Sequence, residues 1–165
     1  MNLLRILRHL IAPQWLARRT FPQASRKAIG AAVTASEQHH GGELRFVVEA
    51  GLPFMDLWRE ASPRDRAIEI FSNLRVWDTE HNSGVLIYLQ LQDRRVEIVA
   101  DRGIAAKVAQ AEWDAICRSM EAAFRSGAYQ SGVLEAIGSV GRLLAIHDPA
   151  SPGRQNELPD SPVIL

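Results

Sequence analysis

The chain has 165 residues, 47% of them hydrophobic and 23% charged, with 19 basic against 19 acidic side chains. That is one globular domain of ordinary size, able to bury about two thirds of its unfolded surface. The zero formal charge excludes a global field that would recruit nucleic acid, and the one cysteine, Cys117, excludes an internal disulfide.

Residues 3–11 read as a basic amphipathic helix, with Leu3, Leu4, Ile6, Leu7, Leu10 and Ile11 on one face and Arg5, Arg8 and His9 on the other. Pro13 ends it and Trp15 follows closely. Before Pro22 the chain carries Arg5, Arg8, Arg18 and Arg19 and no acid. Two readings stand for this segment. It is an in-plane membrane contact, with Arg5 and Arg8 on anionic headgroups and Trp15 at the interface, or a helix docked on the protein's own core or on a partner.

Residues 22–38 form a second helix with Pro22 in its first turn and Ala28, Ile29, Ala32, Val33 and Ser36 on one face. His40-Gly41-Gly42 breaks it, and residues 44–49 alternate as a strand, with Arg45, Val47 and Glu49 on the side opposite Leu44, Phe46 and Val48. Ser62-Pro63 starts a helix whose core face is Ala67, Ile68, Phe71 and Leu74. A polar stretch, residues 75–83, feeds the run 85–89, which is apolar on both faces and therefore a central strand. After a short connection, residues 95–100 alternate and complete a hairpin. One helix is expected over about 104–124 and another over about 130–146. Five prolines and glycines after Asp148 leave the end as an extended tail without regular structure. The organisation is thus a basic segment (1–20), a domain (21–147) and a proline-rich tail (148–165).

This element order implies an α/β fold, a three-layer sandwich with a small mixed sheet. The first two strands should be parallel and the third antiparallel to the second. That geometry brings the segment WDTEHNSG (77–84) to the same sheet edge as ADRG (100–103) and the start of the first strand. Glu43, Asp78, Glu80, His81, Asn82, Asp101 and Arg102 then converge. Asp78, Asn82 and Asp101 are oxygen ligands of the kind calcium or magnesium accepts. Glu43, His81 and Arg102 are candidate ligand-binding groups beside them. The same residues also suit a turn in which Asp78 and Asn82 bond nearby amides.

Elsewhere the signals are plainer. Cys117 reads as a small buried hydrophobe rather than a nucleophile. Trp58, Trp77 and Trp113 read as packing residues, Glu97 as a cross-sheet partner of Arg45, and His39-His40 as solvated side chains that could alternatively join Glu37 on a metal. No GxSxG, HExxH, CxxC, P-loop or GxGxxG motif is present. No apolar run approaches the ~20 residues a membrane span needs. Arg5 and Arg8 interrupt any secretory signal. The expectation is a cytoplasmic protein, peripheral to the inner membrane, with no nucleic-acid partner.

The segments NSGVLIYLQLQDRRVEIVADRGI (82–104) and FRSGAYQSGVLEAI (124–137) resemble the TPM domain, a family named for thylakoid-lumen, photosystem-repair and receptor-modulating members. The likeness spans roughly residues 21–146, and NELPDSPVIL (156–165) resembles the tail of a short bacterial subgroup. The resemblance implies an α/β/α sandwich and a divalent cation on Asp78, Asn82 and Asp101. It also implies an accessory role beside membrane complexes, or else acid-phosphatase activity. Ala100-Asp101-Arg102 stands where the family has a glycine-rich strand exit. Arg102 there either clamps a phosphate or displaces the metal by pairing with Asp78 or Asp101. The leading expectation is a non-enzymatic accessory module with a protein partner near the membrane. Its alternatives are a cation-dependent phosphohydrolase and a cation-binding structural domain.

Overall fold

The computed structural model describes residues 7, 9, 11, 14–153 and 155–165. Arg5 and Arg8, and most of the helix expected over 3–11, lie outside the described residues.

Four strands make one mixed sheet in the order β3-β2-β1-β4. β1 (Glu43–Glu49) and β2 (Gly84–Gln90) run parallel, with Glu43 opposite Gly84 and Glu49 opposite Gln90. β3 (Arg95–Ala100) returns antiparallel to β2, placing Ala100 opposite Val85. These are the directions the sequence implies. β4 (Val163–Ile164) was not foreseen: the tail pairs with β1 in parallel, and Leu165 N donates to Val48 O at 2.9 Å. The prolines stop at Pro162, so the last three residues are free to donate, and their apolar side chains reach the core from an edge strand.

Seven helices cover the sheet among the described residues: α1 (Gln14–Thr20), α2 (Gln23–Glu37), α3 (Phe54–Trp58), α4 (Pro63–Asn73), α5 (Arg102–Ala105), α6 (Gln110–Arg125) and α7 (Tyr129–His147). On one face Leu44, Phe46, Val48, Val85, Ile87, Leu89, Val96 and Ile98 pack under α2, α6 and α7. On the other, Val47, Leu86, Tyr88 and Val99 meet Ala67, Ile70 and Phe71 of α4, with Leu158, Val163 and Leu165 of the tail alongside. β1 and β2 are buried at every position. In β1, therefore, the alternation in polarity does not divide core from solvent.

The helices form for legible reasons. In α2 the buried positions Ser25, Ile29, Val33 and Glu37 recur every four residues, which is one helical stripe. α4 starts on a reciprocal cap in which Ser62 accepts from Asp65 N and the Asp65 carboxylate accepts from Ser62 N. Phe21, between α1 and α2, sits edge-on to Phe46 (5.6 Å) and to Tyr129 (6.0 Å), a geometry worth roughly 0.5–1.5 kcal/mol beyond burial.

The helix expected over 104–124 is two helices. Asp101 caps α5 directly at the strand exit, and Ala109 is extended (ψ 140°) before α6 begins. Ile104 and Val108 are both buried across the break, so the apolar spacing hides it. Three other expectations are corrected. Trp113 packs in the core, but Trp58 and Trp77 are 61% and 48% exposed. Glu97 faces Arg64 at 3.7 Å rather than Arg45. His40 is fully buried, with Nδ1 against Gly42 O and Nε2 against the Ser36 hydroxyl, each at 3.0 Å.

Candidate functional site

The polar edge lies where β1 and β2 begin and β3 ends. Register alone puts Glu43 beside Gly84, and Asp101 N donates to Gly84 O at 2.8 Å. The approach to this edge is tight. A Cβ on Gly84 would stand 1.8 Å from Val76 O, so only glycine lets the loop after α4 cross the strand entry. Asn82 holds the left-handed conformation (φ 51°), which a short polar side chain tolerates, and its carbonyl accepts from Gly103 N at 3.0 Å.

Asp101 is 8% exposed, and its Oδ1 accepts from Arg102 N at 2.7 Å. Its Oδ2 is buried with no hydrogen-bond partner among the described residues. The same holds for Ser83 Oγ and for Oδ2 of Asp148, whose Oδ1 stands 3.6 Å from His81 Nδ1. Asp148 follows α7 and reaches the edge because Gly41 leaves room: a Cβ there would stand 2.9 Å from Asp148 Oδ2. A cleft of about 380 Å³ opens between the 80–83 loop and α5, with Ser83, Asp148 and Lys107 in its wall.

Other expected members are placed differently. Asp78 is exposed on the loop, and the turn there is closed by its backbone, Asp78 N donating to Arg75 O at 3.0 Å. Arg102 points its Nε at the Asn82 carboxamide oxygen, 3.2 Å away. Glu43 is fully buried, and its two carboxylate oxygens accept from Glu157 N (3.2 Å) and Leu158 N (3.1 Å) of the tail. Glu157 in turn accepts from Glu80 N at 3.1 Å. The tail thus straps the edge, which residue spacing within 77–103 does not announce. Asp148 and Glu157 were missed for that reason, whereas Ser83 lay within the expected segment and was not singled out. The glycine pair 41–42 was the signal for close approach, but nothing in it names Asp148 as the neighbour.

A metal ion of the kind the sequence suggests needs hard oxygen donors. Among the described residues no three His, Cys, Asp or Glu side chains are grouped as a metal ion would need. Orphaned buried oxygens on Asp101, Asp148 and Ser83 are nevertheless the donor type such an ion takes, and a buried carboxylate oxygen without a partner is costly.

Two groups remote from this edge are chemically quiet. Burial pushes the Cys117 thiol up to about 12, with the Glu97 carboxylate adding to the effect, so it is no nucleophile at neutral pH. Tyr88 is raised far above a phenol's ordinary value by burial and by Glu49, whose carboxylate accepts its hydroxyl at 2.6 Å.

A family model described as "TPM domain" matches residues 17–143, more than three quarters of the chain. The chain belongs to the TPM domain family. Among solved structures it is similar to the BA42 protein of the psychrophilic bacterium Bizionia argentinensis, at 28% identity and a TM-score of 0.75, covering 85% of this chain and 92% of that one. It shares the fold of the N-terminal domain of a P. gingivalis protein, at 20% identity and a TM-score of 0.60, over 78% and 81% of the two chains. A comparison with curated proteins finds no match. For this TPM domain no described helix is long and apolar enough to cross a membrane.

Proposed function

We propose that this TPM domain is a non-enzymatic accessory module that works docked at the cytoplasmic face of the inner membrane. One observation carries the reading. Trp15, Phe54, Met55 and Trp58 are each at least half exposed, and α3 stands at the end of the sheet opposite the polar edge. Large apolar side chains gathered on a surface mark a contact with something else. The test is cross-linking in the producing cell followed by membrane fractionation, comparing wild type with Trp15→Ser/Trp58→Ser. A membrane-associated adduct lost in the variant supports the module. Adducts identical in both proteins, or none, overturn it.

A second reading rests on the orphaned oxygens. In it a calcium or magnesium ion is held by Asp101 and Asp148, with Asn82 and the exposed Asp78 supplying oxygens from the loop. Such an ion would supply positive charge to hold a water or a phosphate. Arg102 would steady phosphoryl oxygens, and Lys107 would add charge from the cleft wall. Thermal unfolding with calcium or magnesium decides binding: the midpoint should rise in wild type and not in Asp101→Asn. Phosphomonoester turnover that vanishes in Asp101→Asn would make the site catalytic, whereas binding without turnover makes it structural. No cation-dependent rise overturns both forms.

A further inference from the structure

The tail is held by contacts that belong to its residues 156–165. Glu43 accepts from Glu157 N and Leu158 N, and Asp160 accepts from the Asn156 carboxamide at 2.7 Å and from the Thr34 hydroxyl on α2. β4 lies along the outer edge of β1, with Val163 opposite Val47, and Ala50 N donates to Leu165 O at 3.3 Å. Leu158, Val163 and Leu165 pack on the core layer beneath α4. Backbone amides together with spaced apolar side chains are what the open edge of a sheet recognises in an added strand.

The arm that returns this segment is built differently. It starts from fixed points: the Asp148 carbonyl accepts from Gly41 N at 2.7 Å, and Pro149 bridges to His40. After them, residues 150–153 and 155 are all exposed. Gly153 turns the arm in a left-handed conformation (φ 81°), and a Cβ there would have nothing within 4 Å. Pro152 beside it favours an extended arm instead. A single glycine turn therefore separates a tail that folds back from one that reaches out.

We propose that two copies of this chain exchange residues 156–165, each tail lying on β1 of the other. The contacts made by the tail are the same whichever copy it comes from, so they cancel between the closed monomer and the exchanged pair. The balance is set by the turn at Gly153 and by concentration, a tail tethered through a short arm counting as roughly millimolar. A second copy is the occupant because its tail carries the same amides, acid and apolar side chains at the same spacing. The exchange also reaches the polar edge. Glu157 accepts from Glu80 N, and a cleft of about 510 Å³ lies between Gly41, Glu80 and His81 on one side and residues 151–153, 155 and 157 on the other. In the exchanged pair the Glu157 in each cleft comes from the second copy, and the straightened arm no longer walls that cleft.

The test is the oligomeric state of the full chain, read by size-exclusion chromatography with light scattering after refolding from urea. Wild type should be monomeric far below the millimolar range and partly dimeric near it. Gly153→Pro cannot hold the left-handed turn and meets no neighbour, so its arm straightens without cost elsewhere. Its dimerisation constant should rise about tenfold or more, the factor that a left-handed turn costs an ordinary residue. Exchange itself is read by refolding a Val47→Cys chain together with a Val163→Cys chain, both carrying Cys117→Ser. The two positions are opposite each other in β1 and β4, so a disulfide between the chains forms only in an exchanged pair. A linked dimer in the mixture, absent from either chain alone, supports the exchange. Dimers without that link overturn it and assign the pairing to another surface. Monomers at every concentration also overturn it, and wild type near the millimolar range decides this even where Gly153→Pro fails to fold. Each result leaves the membrane-docking reading standing, because the exposed side chains of α3 take no part.

Discussion

Replacing Arg66 by methionine isolates the interaction that holds α3 and α4 to the sheet. Arg66 reaches Glu49 through two bonds, Nη2 to Oε1 at 2.7 Å and Nε to Oε2 at 3.1 Å, and it also meets Glu69 at 2.9 Å. Burial alone works against its charge, but the Glu49 and Glu69 carboxylates outweigh that and raise its pKa above the ordinary guanidinium value. The Glu49 side chain is only 4% exposed. In Arg66→Met its carboxylate would keep the Tyr88 hydroxyl at 2.6 Å but lose its countercharge. Stranding a buried charge in this way costs roughly 3–5 kcal/mol, a large share of the ~5–15 kcal/mol that holds a domain folded. Adding Glu49→Gln removes the stranded charge and leaves a neutral amide, so the double variant should regain about 2 kcal/mol over Arg66→Met. Urea unfolding followed by circular dichroism measures each step as a midpoint shift at constant slope. The reasoning is refuted if Arg66→Met lies within about 1 kcal/mol of wild type, the range of an exposed ion pair. It is equally refuted if Glu49→Gln brings no recovery.

Gly84→Ala should cost more than the ~1–3 kcal/mol usual for overpacking, because the new Cβ would meet the Val76 carbonyl at 1.8 Å and both atoms belong to the packed backbone. Urea unfolding checks this, and a variant as stable as wild type would mean that the loop is not pinned as described. Burial raises the Glu97 carboxyl above its ordinary value, although Arg64 and Arg95 pull it down. The native state therefore holds this proton more tightly than the unfolded chain does. Its contribution to stability is greatest at low pH and is lost as pH rises through the window between the ordinary and the raised value. In Glu97→Gln that loss is absent, so its melting temperature should gain on wild type as pH increases from 4 to 7 (roughly the carboxyl range and above). Parallel melting curves across that range would refute the assignment.

Much of the architecture was readable along the chain because local chemistry and global packing agree there. The apolar run 85–89 is buried on both faces as a central strand must be, the 95–100 segment folds back on it, and Ser62-Pro63 caps α4 as such a pair should. Parallel pairing of β1 and β2 followed from their order, and it brought Asn82, Gly84 and Asp101 to one edge. Spacing within a segment determines these features, since periodicity and capping act over four or five residues. Other features required the tertiary structure. Asp148 and Glu157 join the edge only because α7 and the tail return to it, and Glu43 is turned inward by two tail amides that no local pattern predicts. Likewise, a tryptophan carries no mark in itself of whether it faces core or solvent. Trp58 is exposed and Trp113 buried because of what the rest of the chain stacks against them. Contacts across a hundred residues are set by the joint packing of all the elements, and that sum is not written in any one of them.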